Sequence, residues 1–330
     1  MCLPDGYYDR VTKHHGEIRE EGEEAVSKQL LENLIELGGE YESWLAKYAN
    51  QPPAFDAARA GDQTALETAL NYGFDINAKD ADGLTLLMLA ATDGHIEVVS
   101  YLIGRGADVS TTCEQQQDFE AMMMACANGH AAVALLLHDQ GVDVNKRYAP
   151  DSSRGRICNQ TILSVAANRG HLDVCRLLIK RGGDMEIVAD SGYTAVMWAL
   201  LNGASAEAAE LLLDAGAKPD PATRPIEAFS GALSTPLILA TRNGLSRIAL
   251  RLIEAKVNLD AKDSSGWTAL IAAASRAAWG TMQLLINAGA DVNHTADDGS
   301  TALSEVISRR LLRHGIVVLS RLSGKNVDSE

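Results

Sequence analysis

Two kinds of apolar segment alternate through most of this chain. One is short and almost continuous, as in Leu86-Leu87-Met88-Leu89-Ala90-Ala91. The other is spaced, as in Ile96, Val98, Val99, Leu102 and Ile103, whose recurrence marks one face of an amphipathic helix. A glycine stands between them, so each pair predicts two short helices joined by a tight turn. The unit recurs: residues 85–109 align position by position with 161–184. Further copies begin at Thr194, Thr235, Thr268 and Thr301, a degraded copy surrounds Glu120, and a truncated one starts near Pro53.

The turn glycine acts as a ruler. Gly61, Gly94, Gly129, Gly170, Gly203 and Gly244 occupy it, followed by Ala277 and Arg310, with steps of 33, 35, 41, 33, 41, 33 and 33. A period of 33 with T-x-L, A-A-x-x-G-H, L-L and G-A-D-V-N motifs resembles the ankyrin-repeat family, over about residues 53–322 and seven to eight repeats. The resemblance implies an all-α solenoid of stacked helix-turn-helix units with inter-repeat hairpin loops. One such unit cannot hide its apolar faces alone, and stacking supplies the core. The resemblance also implies that His95, His130 and His171 brace inter-repeat turns, and that the threonines at 85, 161, 194, 235, 268 and 301 cap the first helices.

Residues 1–51 fall outside the period. Leu30, Leu31, Leu34 and Ile35, then Tyr41, Trp44, Leu45 and Tyr48, recur at helical spacing, predicting an extra N-terminal helical cap or a separate docking element. The repeat domain is expected over 52–324, with inserted loops at 146–160 and 220–234 and a tail at 325–330. Leu311, Leu312 and Ile316 to Leu319 predict a final helix pair.

Charge narrows the partners. Residues 1–145 carry 25 acidic and 8 basic side chains, and residues 146–330 carry 19 and 21. The net charge of −15 argues against a sequence-independent grip on nucleic acid or anionic lipid, and favours a protein partner with a basic surface. No apolar run reaches the roughly 20 residues needed to span a bilayer. The first ten residues lack a basic start followed by an apolar stretch, so a cytoplasmic location is expected.

The chemistry of catalysis is not evident. Cys2, Cys113, Cys126, Cys158 and Cys175 are odd in number without a repeated C-x-x-C, so neither a disulfide framework nor a zinc site is indicated. Cys126 and Cys175 occupy core slots, whereas Cys113 and Cys158 fall in loops where exposure is expected. No G-x-S-x-G, glycine-rich phosphate loop or H-E-x-x-H is present, and no cofactor, metal or enzymatic activity is expected. Met122, Met123 and Met124 read as packing or as an adaptable binding patch.

The family exposes the position before the capping threonine on its concave edge, which implies recognition by Leu84, Phe119, Gln160, Tyr193, Ser234, Trp267 and Ser300. Large exposed aromatics there would serve as interface anchors. Further contact positions map to Asp82, Thr92, Asp93, Asn128, Arg169, Asn202, Arg242 and Arg276, and the first insertion adds Arg154 and Arg156. The expected function is a non-catalytic protein-binding module, monomeric when unbound. Its narrower forms are a stoichiometric inhibitor or immunity protein of a toxin or enzyme, and an adaptor linking two partners.

Overall fold

A computed structural model describes residues 53–113, 119–148, 160–189, 191–201, 205–221 and 234–308. The expected N-terminal cap, most of both inserted loops, the final helix pair and the tail lie outside the described residues, as do Arg154, Arg156, Cys158 and Asn202. The chain divides into two compact units, residues 1–142 and 143–330.

The first unit contains α1 (Pro53–Ala60), α2 (Gln63–Asn71), α3 (Leu86–Asp93), α4 (Ile96–Gly104), α5 (Ala121–Ala127) and α6 (Ala131–Asp139). Within each pair the two helices pack together; α3 packs between α1 and α5, and α4 between α2 and α6. This sandwiching explains the two apolar patterns. Leu86 through Ala91 are all buried because a first helix has neighbours on several sides, whereas α4 buries only Val98, Val99 and Leu102. Truncating a fully covered leucine such as Leu102 to alanine would remove about 2–5 kcal/mol. Met122, Met123 and Met124 are buried in α5, so packing is their role.

Among the described residues of this unit, a histidine closes each of the two joints between repeats. His95 donates from Nε2 to the Arg59 carbonyl at 2.7 Å, and His130 donates from Nε2 to the Thr92 carbonyl at 2.9 Å. A carbonyl only accepts, which fixes the proton on Nε2. The ruler glycine makes room for this ring. Gly61 has φ +73°, and a Cβ there would lie 2.6 Å from His95 Nδ1; Gly94, at φ +81°, faces His130 in the same way. Glycine therefore answers both a left-handed backbone and a steric demand.

The second unit opens with a two-residue antiparallel ribbon, β1 (Arg147–Tyr148) against β2 (Gln160–Thr161), which roots the first inserted loop. It continues through α7 (Ile162–Arg169), α8 (Leu172–Lys180), α9 (Ala195–Leu201), α10 (Ala206–Asp214), α11 (Pro236–Arg242), α12 (Ser246–Glu254), α13 (Ala269–Ser275), α14 (Trp279–Asn287) and α15 (Ala302–Ser308). First helices α7, α9, α11, α13 and α15 pack in succession, as do second helices α8, α10, α12 and α14. Arg247 to Glu210 at 3.1 Å and Arg251 to Asp214 at 2.6 Å join α12 to α10. These surface pairs each contribute about 0–1 kcal/mol. At the ruler position before α14 stands Ala277, which adopts φ +56° without the freedom of glycine.

Most threonines cap as expected. The hydroxyls of Thr85, Thr161, Thr235, Thr268 and Thr301 accept from the backbone N–H three residues on, at 3.1–3.5 Å. Thr194 departs from the expectation: it is buried, yet its hydroxyl has no hydrogen-bond partner.

Candidate functional site: the hairpin rim

Four hairpins share one main-chain closure, in which the N–H at the first position donates to the carbonyl four residues on. They are Asp80 to Leu84, Ala189 to Tyr193, Asp263 to Trp267 and Ala296 to Ser300, at 2.8–3.0 Å. At 80 and 263 the aspartate does more. Asp80 Oδ1 accepts from the N–H groups of Asp82 (3.0 Å) and Leu84 (2.8 Å). Asp263 Oδ1 accepts from Ser265 (2.8 Å) and Trp267 (2.9 Å). The second oxygen of each holds an arginine 21 residues upstream, at the end of the preceding first helix: Arg59 to Asp80 at 3.0 Å, and Arg242 to Asp263. The Asp263 side chain has no exposed surface, and its charge is met by Arg242. At 189 an alanine replaces the aspartate, so that hairpin lacks the second set of bonds.

Successive loops are also tied to one another. Within the first unit, Asn77 Oδ1 accepts from the Asp108 N–H at 2.9 Å, Lys79 Nζ donates to the Thr112 carbonyl at 2.9 Å, and Cys113 Sγ donates to the Asp82 carbonyl at 3.2 Å. Within the second unit, Glu186 Oε1 accepts from the Lys218 N–H and Asp260 Oδ1 from the Asp291 N–H, both at 2.8 Å.

Several rim expectations need correction. Leu84 is buried, 7 % exposed, as a core residue under its hairpin. Tyr193 is equally buried because its ring packs edge-on against Trp198, with centroids 5.8 Å apart. Ser234 is buried as well. Cys113, expected to be exposed, is wholly buried, with its backbone bridged to Phe119 and its Sγ on the Asp82 carbonyl, and Cys126 and Cys175 are buried as expected. Burial pushes the Cys175 thiol pKa up to about 12, with nearby Arg176 opposing it weakly.

The remaining candidates stand nearer solvent. Asp82, Asp93, Asn128, Arg169 and Arg276 are exposed, and Thr92, Phe119, Gln160, Arg242 and Trp267 are half-buried. Two of these use polar atoms locally: Thr92 donates to the Met88 carbonyl (2.7 Å) and Asn128 to the Met124 carbonyl (2.9 Å).

The structure brings Tyr193, Arg242 and Trp267 into one neighbourhood. The Arg242 guanidinium lies 5.7 Å from the Trp267 ring centroid, a cation–π contact, while it pairs with Asp263. The Tyr193 hydroxyl titrates above its ordinary range, first because of burial; Arg242 pulls it down and Asp263 pushes it up. Asp298, in the next hairpin, is held below the usual carboxylate range by hydrogen bonds from Ser300, with a smaller contribution from the Trp267 side chain.

Sequence reasoning missed Trp198. It occupies the slot filled by Leu89, Val165, Leu239 and Ala272 in other copies, a change of size and polarity that the period itself displays. Its Nε1 is buried without a partner, as are Ser191 Oγ, Thr194 Oγ1 and Ser234 Oγ. Each unmet buried group costs about 1–3 kcal/mol.

Among the described residues, no group of three His, Cys, Asp or Glu side chains is placed to hold a metal ion, and no helix is long and apolar enough to cross a membrane. The family model for ankyrin repeats matches residues 54–148, 147–223 and 229–296, well over half the chain. The chain belongs to the ankyrin-repeat family. Its all-α ankyrin architecture accounts for the paired helices, the capping threonines and the turn histidines together. It is similar to ankyrin repeat domain-containing protein 29 of Homo sapiens, 47 % identical over 58 residues, 17 % of this chain and 19 % of that protein. It is also similar to an ankyrin repeat and KH domain-containing protein of Caenorhabditis briggsae, 26 % identical over 294 residues, 84 % of this chain and 10 % of the relative. Alpha-latrocrustotoxin-Lt1a of Latrodectus tredecimguttatus matches at 37 % over 65 residues, 19 % of this chain and 5 % of the toxin. The chain thus aligns with less than a fifth of the length of each of these relatives. Ankyrin repeats form a protein–protein interaction module, and the family is generally non-catalytic.

Proposed function

We propose that this chain binds a folded protein partner through its hairpin rim and its inserted loops. The observation that carries this reading is Trp267, a half-buried indole with a guanidinium stacked on it, next to a hairpin whose backbone is secured independently of that ring. An aromatic surface of this kind suits an interface anchor. Exposed Asp82 and Asp93 in the first unit favour a partner with a basic surface, with association slowed by added salt.

A photo-crosslinking residue at position 267, compared with one at exposed Ser100 on α4, tests this reading in the source cells. Adducts with one protein from 267 and none from 100 support it; adducts only from 100 move the interface to the outer helices. The narrower forms divide once that partner is purified. An inhibitor or immunity protein binds one-to-one and abolishes the partner's activity, whereas an adaptor holds two different proteins at once.

A further inference from the structure

Trp267 is bordered by the hairpin that follows it. The Asp297 N–H donates to the Ser265 carbonyl at 3.2 Å, and the Asp297 carboxylate rests on the tip glycine, where a Cβ on Gly266 would lie 2.6 Å from its Oδ1. Asp298 accepts from the Ser300 N–H at 2.8 Å and from the Trp267 side chain. Ser264, Ser265, Asp297 and Asp298 are exposed and Trp267 is half-buried, so ring and carboxylates share one open surface of the second unit. We propose that this surface receives an arginine side chain of the partner, with its guanidinium stacked on the Trp267 ring and paired with Asp298 and Asp297. The proposal rests on the interaction-module reading and names the chemistry of one contact at its rim.

The chemistry of the surface selects this occupant. An ionised carboxylate only accepts, and the face of an indole attracts positive charge, so the ligand is a cation. Hydrogen bonds from Ser300, and a smaller one from Trp267, hold Asp298 below the usual carboxylate range, which keeps it charged at neutral pH. Among the described residues, neither Asp297 nor Asp298 is paired with a cation. No third ligand joins them to hold a bare metal ion, so the cation is one carried on a side chain. The chain itself displays the pose: Arg242 lies 5.7 Å from the centroid of this same ring while pairing with Asp263. A second guanidinium repeats that arrangement on the surface Arg242 leaves uncovered, with Asp298 in the place of Asp263. A planar, weakly hydrated guanidinium stacks on the ring and pairs with a carboxylate at once, whereas an ammonium is a strongly hydrated point charge.

Turn chemistry alone does not account for the arrangement. The hairpin aspartates that serve the fold, Asp80 and Asp263, each hold an arginine of the chain, and Asp297 and Asp298 hold none. The tip of hairpin 80–84 also carries an exposed aspartate, Asp82, but its last residue is the buried Leu84, so no ring stands beside the charge. Around Trp267 the ring and the unpaired carboxylates meet.

The test follows the indole N–H resonances of the isotope-labelled full chain, that of Trp267 being the one lost in Trp267→Phe. The probe is the end-blocked peptide Gly-Gly-Arg-Gly-Gly, titrated at low salt to high millimolar concentration beside versions with lysine or citrulline in place of the arginine. The arginine peptide is expected to move the Trp267 resonance saturably and to leave that of Trp279 in place. The lysine peptide should move it at most half as far, and the citrulline peptide, which keeps the shape without the charge, should leave it unmoved. Asp297→Asn combined with Asp298→Asn should reduce the shift at a given peptide concentration at least fivefold, with the other indole resonances reporting an intact fold. The citrulline comparison uses the unaltered protein and does not depend on that variant folding. An equal shift with citrulline, with lysine or in the double variant overturns the arginine contact, and so does the absence of any shift at Trp267. Adducts from a crosslinker at position 267 without a peptide shift leave the interaction-module reading standing and strike the arginine contact alone.

Discussion

Hairpin 80–84 in the first unit and hairpin 263–267 in the second are closed by the same aspartate, the same two N–H bonds to it and an arginine 21 residues upstream. At the last position one hides a leucine and the other presents an indole. The backbone device is therefore indifferent to the side chain it carries. Hairpin 189–193 shows the converse: it lacks the aspartate, and its last residue is a buried tyrosine locked against Trp198. The carboxylate thus secures the turn whether its last residue is buried, as Leu84 is, or half-buried, as Trp267 is, whereas at 189–193 the ring itself is part of the fold.

The sharpest way to break this contrast is to remove the ring. Tyr193→Ala should cost about 3–5 kcal/mol in denaturant unfolding, as for a truncated core aromatic. A loss under about 1 kcal/mol would return Tyr193 to the surface. Asp263→Ala comes next: breaking its buried pair leaves Arg242 without its partner and should cost about 3 kcal/mol. Asp80→Ala, whose Arg59 partner is more exposed, should cost about 1 kcal/mol. Equal losses would show that the two hairpins differ only in their rim residue. Ala277→Gly should stabilise by about 1 kcal/mol by relieving a left-handed alanine. At Gly94, where the His130 ring stands, Gly94→Ala should destabilise by more than that gain. Trp267→Ala should change stability least, by about 0.5 kcal/mol, while weakening partner binding by tenfold or more.

The period, helix pairs, capping threonines and turn glycines were legible because each reflects a local demand that recurs every repeat. The bonds of His95 and His130 to preceding repeats are those that the family resemblance implies. Exposure at the rim was less legible. Leu84, Tyr193, Ser234 and Trp267 share one register position, and their burial depends on what lies across from each, which register does not state. Arg242 carried a partial signal: the 21-residue spacing to Asp263 repeats that of Arg59 to Asp80. Thr194 could not have been separated from its sisters by sequence, because its missing cap is a matter of hydroxyl direction.

The histidine links have a mechanical consequence. Each ties a ring to a carbonyl 36 or 38 residues earlier, so within the first unit tension is carried from one repeat only to the next. Pulled in an optical trap, that unit should lengthen in discrete jumps as individual repeats let go. Each 33-residue repeat would release slack on the order of 110 Å, giving a sawtooth record instead of one abrupt rupture.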